Sequence, residues 1–243
     1  LWQGTFLALF LGLLGALAAG DPRAFRSGVF HEADPLSAAA LAIADGAFPV
    51  ALLLGATLLL LTLVFGRFFC GWICPLGTLQ QLSSWLLTPR GRRESLEVNR
   101  LRPWHAWKYA LLAFLLALAL LGSTQTGLLD PLSLAARGLA SGVWPALLRR
   151  PAVPGGILAA LLLLAVLLAS RFVPRFFCRA LCPLGALLGL FGRFALFRID
   201  RGKAPCTDCR LCTFACQGGD EPLGTHRPGE CLVCLACLDS CPE

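Results

Sequence analysis

The chain has 243 residues, of which 57% are apolar and 14% charged, against about 25% charged in an average soluble domain, and its mean hydropathy is +0.72. That composition excludes an ordinary soluble fold and predicts a membrane protein. The 21 Lys and Arg outnumber 14 Asp and Glu, but in so apolar a chain basic residues act first as topology signals, and no aromatic-basic groove pattern points to nucleic acid as a partner. There is no methionine, position 1 included, so a piece of a longer protein is expected.

Residues 1–20 carry no charge and are long enough to cross a bilayer core. Ala16-Leu17-Ala18 would also suit a signal-peptide cleavage site. Residues 21–45 are polar, with Asp21, Glu32, Asp34 and Asp45 against Arg23 and Arg26, and read as a loop. Residues 46–66 form a second uncharged span, in which Gly55-Ala56-Thr57 reads as a packing site. The span runs into Phe68-Phe69-Cys70-Gly71-Trp72-Ile73-Cys74-Pro75-Leu76-Gly77. Leu76, Leu79, Leu82 and Leu86 then fall at helical spacing on a stretch too short to cross. A basic loop follows with Arg90, Arg92, Arg93, Arg100 and Arg102.

The third span begins at Trp104, Trp107 and Tyr109, an aromatic belt, with Lys108 placed to snorkel to the interface, and ends near Gly122. Residues 130–150 read as a surface helix opened by Asp130-Pro131. The fourth span, residues 152–170, leads into Phe176-Phe177-Cys178-Arg179-Ala180-Leu181-Cys182-Pro183-Leu184-Gly185 and a second short apolar helix. The membrane part is therefore a repeat. Cys70 to Cys178 and Cys74 to Cys182 are each 108 positions apart, and Asp21-Pro22 to Asp130-Pro131 is 109. The parallel makes the first segment a retained span, since its counterpart cannot be a signal peptide.

Lys and Arg counts set the expected orientation. The stretch from Arg67 to Arg102 holds six and that from Arg171 to Lys203 seven, while the opposite loops hold two and three. Both Cys-x3-Cys pairs, the C-terminal end and both termini are thus expected on the cytoplasmic side of the inner membrane. A reducing compartment argues against structural disulfides.

Behind the second repeat lie Cys206, Cys209, Cys212, Cys216 and Cys231, Cys234, Cys237, Cys241, two runs of Cys-x2-Cys-x2-Cys-x3-Cys, the second followed by Pro242. Two-residue gaps let three thiolates converge on three irons of one cubane, and the fourth cysteine ligates the partner cluster. The assignment is Cys206, Cys209, Cys212 and Cys241 to one [4Fe-4S] cluster and Cys231, Cys234, Cys237 and Cys216 to the other. Structural zinc favours paired Cys-x2-Cys with a longer loop, and fits less well.

The repeat cysteines form a second constellation. Cys70 and Cys74 lie four apart, as do Cys178 and Cys182, so each pair shares one face of a helical turn. Pro75 and Pro183 suit the first position of a helix, whose free amides favour a thiolate, an anionic cluster or a semiquinone. The four thiols are candidates for a further redox centre. A dithiol/disulfide couple and a plain packing motif are the alternatives. His31, His105 and His226 are too scattered for a bis-His haem. His226 is expected in a solvated loop, and His105 belongs to the belt or else takes protons from a quinol. Asp21 and Asp130 are expected to cap turns or helices.

With these motifs in view the chain resembles the NapH-type membrane polyferredoxins, a family that takes in the membrane part of NosR-like proteins and, more distantly, CcoG-like assembly factors. The resemblance implies an electron-transfer subunit of a quinol-oxidising complex, passing electrons from the quinone pool to a partner iron-sulfur or cytochrome protein. An assembly factor that reduces a metal or thiol, and a NosR-like redox regulator, are the other readings. The expected fold is an all-α polytopic membrane protein with four transmembrane helices in two repeats plus short half-helices, and a small C-terminal bacterial-type 2[4Fe-4S] ferredoxin-like (α+β) domain. Its parts are residues 1–90 (first repeat), 91–103 (basic loop), 104–198 (second repeat) and 199–243 (clusters).

Overall fold

The computed structural model describes residues 2–18, 35–45, 50–87, 96–99, 102–122, 129–143, 145, 154–199, 206–220 and 226–242. Asp21, His31, Arg90, Arg92, Arg93 and Arg100 lie outside them. The first repeat builds α1 (Trp2–Ala18), α2 (Pro35–Asp45) and α3 (Val50–Phe65), then a π-helical turn (Phe69–Ile73) and α4 (Pro75–Leu87). The second builds α5 (Trp107–Leu120, preceded by a 3-10 turn over Pro103–Ala106), α6 (Pro131–Arg137) and α7 (Pro154–Ala169). The turn α8 (Phe176–Ala180) and α9 (Pro183–Gly192) complete it, and the tail contributes α10 (Leu211–Ala215) and α11 (Ala236–Asp239).

Local chemistry sets these boundaries. Proline stands first in α2, α4, α6, α7 and α9, where its missing N–H costs nothing and its fixed φ suits the helix. Asp130 caps α6 by accepting from the Ser133 N–H at 2.7 Å, as expected. Helix α3 stops because Gly66 enters the left-handed region at φ +68°, open to glycine at no steric cost. In the second repeat it is Arg175 that takes φ 52°.

The two repeats exchange their half-helices. Helix α4 packs against α1 of its own repeat and α7 of the other, and α9 packs against α5 of its own repeat and α3 of the other. The core therefore lies between the half-helices, with Leu36, Phe69, Leu76, Phe177, Leu184 and Leu188 buried in it. Large apolar side chains on the long helices, such as Leu9, Leu60, Phe114 and Leu161, stay exposed.

Several expectations change. Residues 35–45 form a buried helix rather than a loop, with Leu36 and Ala40 fully covered and Gly55 against Pro35. The presumed surface helix after Asp130 is the buried α6 followed by a π-helical turn (Gly138–Val143) packed on α7. Leu132 and Leu134 face inward there, which composition near Arg137 hid. On α4, Leu76 is buried but Leu82 and Leu86 are exposed. Among the described residues one helix, Pro103–Leu120, is long and apolar enough to cross a membrane, while α1, α3 and α7 have 17, 16 and 16 residues. The described residues hold no strand, so the helical half of the expected α+β tail is present in them and the strand half is not.

Candidate iron-sulfur centres

In the tail the backbone repeats itself. Asp208 and Arg210 in the first cysteine loop have φ 52° and 57°, and Val233 and Leu235 at the matching places of the second have 49° and 61°. Four non-glycine residues in the left-handed region, one of them β-branched, are strained unless something over-determines them. Alternating hand turns successive amides toward the inside of each loop, the nest geometry common to Fe–S sites. Cys216, Cys231, Cys234 and Cys237 line one cavity, together with Leu232 and Leu235. This is the cysteine set assigned to one cluster by the spacing. Burial first, then Cys216 and Cys234, raise the Cys231 thiol to about 12 against the pull of the Val233 amide. Burial and the neighbouring thiols Cys234 and Cys216 raise Cys237 to about 11. Such thiols ionise readily only when metal cations replace their protons.

Among the described residues no three Cys, His, Asp or Glu side chains converge as they would on a single ion. Four thiols around one cavity are the donor set of a cubane, in which each thiolate meets its own iron. Of the other set, Cys206 and Cys241 are exposed, Cys209 and Cys212 half-buried. Helices α10 and α11 lie side by side, which brings Cys212 into electrostatic reach of Cys237.

The second constellation is buried. Cys70, Cys74, Cys178 and Cys182 are 7%, 4%, 6% and 3% exposed. Each turn closes in the same way: the Cys74 N–H donates to Phe69 O at 2.9 Å and the Cys182 N–H to Phe177 O at 2.8 Å, a five-residue reach that inserts one extra residue. Both chains then enter a half-helix, and the Gly185 amide donates to Cys182 Sγ at 3.1 Å. Burial pushes Cys74 and Cys182 well above the ordinary thiol range, and Cys178 and Cys70 add to it in both cases. Gln80 ties the halves together, donating to Cys178 Sγ at 3.4 Å and accepting from the Phe177 N–H at 3.1 Å.

Two buried guanidiniums flank these thiols, and sequence reasoning missed both. Arg67 and Arg175 are each 1% exposed. They cross over: Arg175 donates to Cys70 O at 2.8 Å and lies beside Gly77, while Arg67 lies beside Gly185 and donates to Gly229 O at 2.9 Å. Arg67 Nε and Nη2 and Arg175 Nε are buried without a hydrogen-bond partner among the described residues. Each guanidinium is held by other bonds, Arg67 by Glu230 and Gly229 O and Arg175 by Cys70 O and Gln81, and the N–H groups left over beside the thiols fit an acceptor there, because an unsatisfied buried donor is costly. A signal existed: each arginine stands three places before the first cysteine of its repeat.

Both turns dock on the tail. The Trp72 indole donates to Val233 O at 2.8 Å, and a Cβ on Gly71 would meet Leu232 O at 2.3 Å. Arg179, the counterpart of Gly71 in the second repeat, donates to Gln217 O at 2.8 Å and to Asn99 Oδ1 at 3.0 Å. Lys108 does not snorkel. It is fully buried and, with Arg67, pairs with Glu230, whose Oε1 accepts from Tyr109 at 2.8 Å. Its partner lies 122 positions away, beyond any local pattern. His226 is half-buried against the Asp220 carboxylate rather than solvated. His105 is buried at the start of α5, its ring 4.2 Å from that of Trp104.

These features define an iron-sulfur protein of the ferredoxin type. A family model described as a 4Fe-4S binding domain matches residues 47–93 and 156–203, each holding one Cys-x3-Cys-Pro turn. The ferredoxin-type protein NapH of Escherichia coli is 30% identical over 220 residues, covering 83% of this chain and 69% of that protein. The methylamine utilization ferredoxin-type protein MauN of Paracoccus denitrificans is 32% identical, with 84% of this chain and 63% of MauN covered. Protein NirI of the same organism is 33% identical over 78% of this chain, which spans 27% of NirI. The chain spans 27% to 65% of the length of the first relatives it matches. No solved structure matches. The chain belongs to the NapH-like polyferredoxin family.

Proposed function

We propose that this chain is a membrane electron conduit between the quinol pool and a partner iron-sulfur or cytochrome protein. In this reading α1, α3, α5 and α7 cross the inner membrane, and the cysteine turns, tail and termini face the cytoplasm. The exposed apolar side chains on all four helices support the spans, since soluble surfaces seldom carry such continuous patches. The basic stretches beside the cysteine turns support the orientation.

Three redox centres follow. Cys231, Cys234, Cys237 and Cys216 hold one [4Fe-4S] cluster, and Cys206, Cys209, Cys212 and Cys241 hold a second, nearer the surface. Cys70, Cys74, Cys178 and Cys182 hold a further centre, which the family match over both turns and the unpartnered N–H groups of Arg67 and Arg175 support. Bound clusters supply one-electron transfer at potentials tuned by charge, burial and hydrogen bonds to sulfur. The chain's own residues do the placing. Arg67 and Arg175 balance negative charge between the repeats, the loop amides face the tail sulfurs, and the buried thiols exclude water.

The observation that carries this reading is the junction. Gly71 and Trp72, between the first pair of thiols, touch Leu232 and Val233, between Cys231 and Cys234. The order is then four-thiol site, inner cluster, outer cluster, partner. Two measurements test it. Iron content is expected near twelve per chain if the four-thiol site holds a cubane, and about eight if only the tail is loaded. In proteoliposomes a quinol analogue is expected to reduce the tail clusters, and failure to do so with the partner present sinks the quinol assignment.

A further inference from the structure

A cavity of about 650 Å³ opens where the start of α5, the end of α9 and the segment leading into Cys231 meet. Its polar wall includes Arg102, His105, Tyr109, Arg193, Arg227 and Glu230, with His226, paired to Asp220, at its edge. Among the described residues that line it Glu230 is the one carboxylate, and both of its oxygens are engaged. Oε1 accepts from Tyr109 at 2.8 Å, and Oε2 accepts from Lys108 and from Arg67, the latter at 3.3 Å. Its charge is directed into the protein.

What remains donates. His105 is 4% exposed, and its Nδ1 accepts from the Arg102 N–H at 2.9 Å. In a neutral imidazole that places the proton on Nε2, a buried donor without a partner among the described residues. The side chains of Arg102, Arg193 and Arg227 are exposed. Arg193 is held over the Tyr109 ring at 5.8 Å. Three guanidiniums around one cavity match an acceptor with several charged oxygens, and arginine favours phosphate because its donors form a planar fork.

We propose that this cavity binds a phosphate group, with an anionic phospholipid headgroup as the source its position favours. It opens at the first turn of Pro103–Leu120, beside the exposed Trp107. Basic pockets at the cytoplasmic end of membrane helices take such headgroups. A bound headgroup would cover the segment that carries Glu230 and Cys231, fixing the cluster loop against the membrane. The lipid source rests on the reading of that helix as a span; the phosphate chemistry does not.

The test uses the full, iron-loaded chain. In one arm it is inserted into nanodiscs of phosphatidylcholine with a minor share of phosphatidylglycerol, and retained lipid is counted by native mass spectrometry. In the other it is titrated in detergent with inorganic phosphate. Wild type is expected to retain phosphatidylglycerol selectively. The doubly substituted Arg102→Gln, Arg227→Gln chain is expected to bind about thirtyfold more weakly, as two lost basic contacts predict, with iron content unchanged. Arg171→Gln, an exposed arginine outside the cavity, is expected to behave as wild type. Lipid retention that phosphate does not displace assigns the headgroup, and saturable phosphate binding without lipid selectivity assigns free phosphate. No binding in either arm, binding the double variant leaves unchanged, or displacement by a quinone analogue but not by phosphate overturns the proposal. Failure of the chain to enter nanodiscs while it still binds phosphate in detergent would count against the span alone.

Discussion

The tail and the repeat module arrange cysteines in opposite ways. In the tail, three thiols of each proposed set come from one short loop, so chain connectivity does most of the convergence. In the module, two thiols come from each of two turns separated by 108 positions, and only the exchange of half-helices brings them together. In the tail Cys206 and Cys241 are exposed. The distributed site is buried, and buried guanidiniums from both repeats accompany its thiols. A group of thiols assembled across a repeat interface is tied to the packing of the fold, whereas one assembled in a loop needs only that loop.

Substitutions separate the two. The largest effect is expected from Cys234→Ala, which should remove one tail cluster, a loss of about four irons per chain, read by iron assay and visible absorbance. Cys74→Ala should leave the roughly eight tail irons in place and remove only the excess; equal loss from both regions would break the distinction. Next comes Glu230→Ala, which leaves Arg67 and Lys108 buried without their shared carboxylate. It should cost about 3–5 kcal/mol of stability, read from thermal unfolding in detergent.

Gly71→Ala tests the seam between the regions. Its Cβ would fall 2.3 Å from Leu232 O, so the turn and the cluster loop must separate, at a cost of about 1–3 kcal/mol. Iron content should be retained while reduction of the tail through the membrane slows. Unslowed reduction would show that electrons do not cross at this junction. The smallest effect is expected from Trp72→Phe, which removes one hydrogen bond to Val233 O and should cost about 1 kcal/mol by the same unfolding measurement.

The spacing groups Cys231, Cys234 and Cys237, because two-residue gaps have few ways to present three sulfurs together, and the structure adds that Cys216 lines the same cavity. The Cys-x3-Cys-Pro turns and the half-helices behind them were legible too, since proline and the repeat mark them. Helix α2 was not, because Pro35 to Asp45 carries small and polar residues among its apolar ones and lacks the Leu-rich signature of the spans. Lys108 was misread because an isolated lysine near an aromatic belt ordinarily snorkels, and nothing nearby announces Glu230.

The sequence by itself determined the apolar duplicated architecture and the grouping of the twelve cysteines into a tail and two turns. These follow from periodicity and spacing, which are properties of neighbours along the chain. Only the tertiary structure decided that the half-helices swap between repeats, that Arg67 and Arg175 cross over beside four buried thiols, and that Gly71 and Trp72 rest on the Cys231 loop. Those contacts join residues 84 to 163 positions apart, and at that separation packing and charge pairing decide which residues meet.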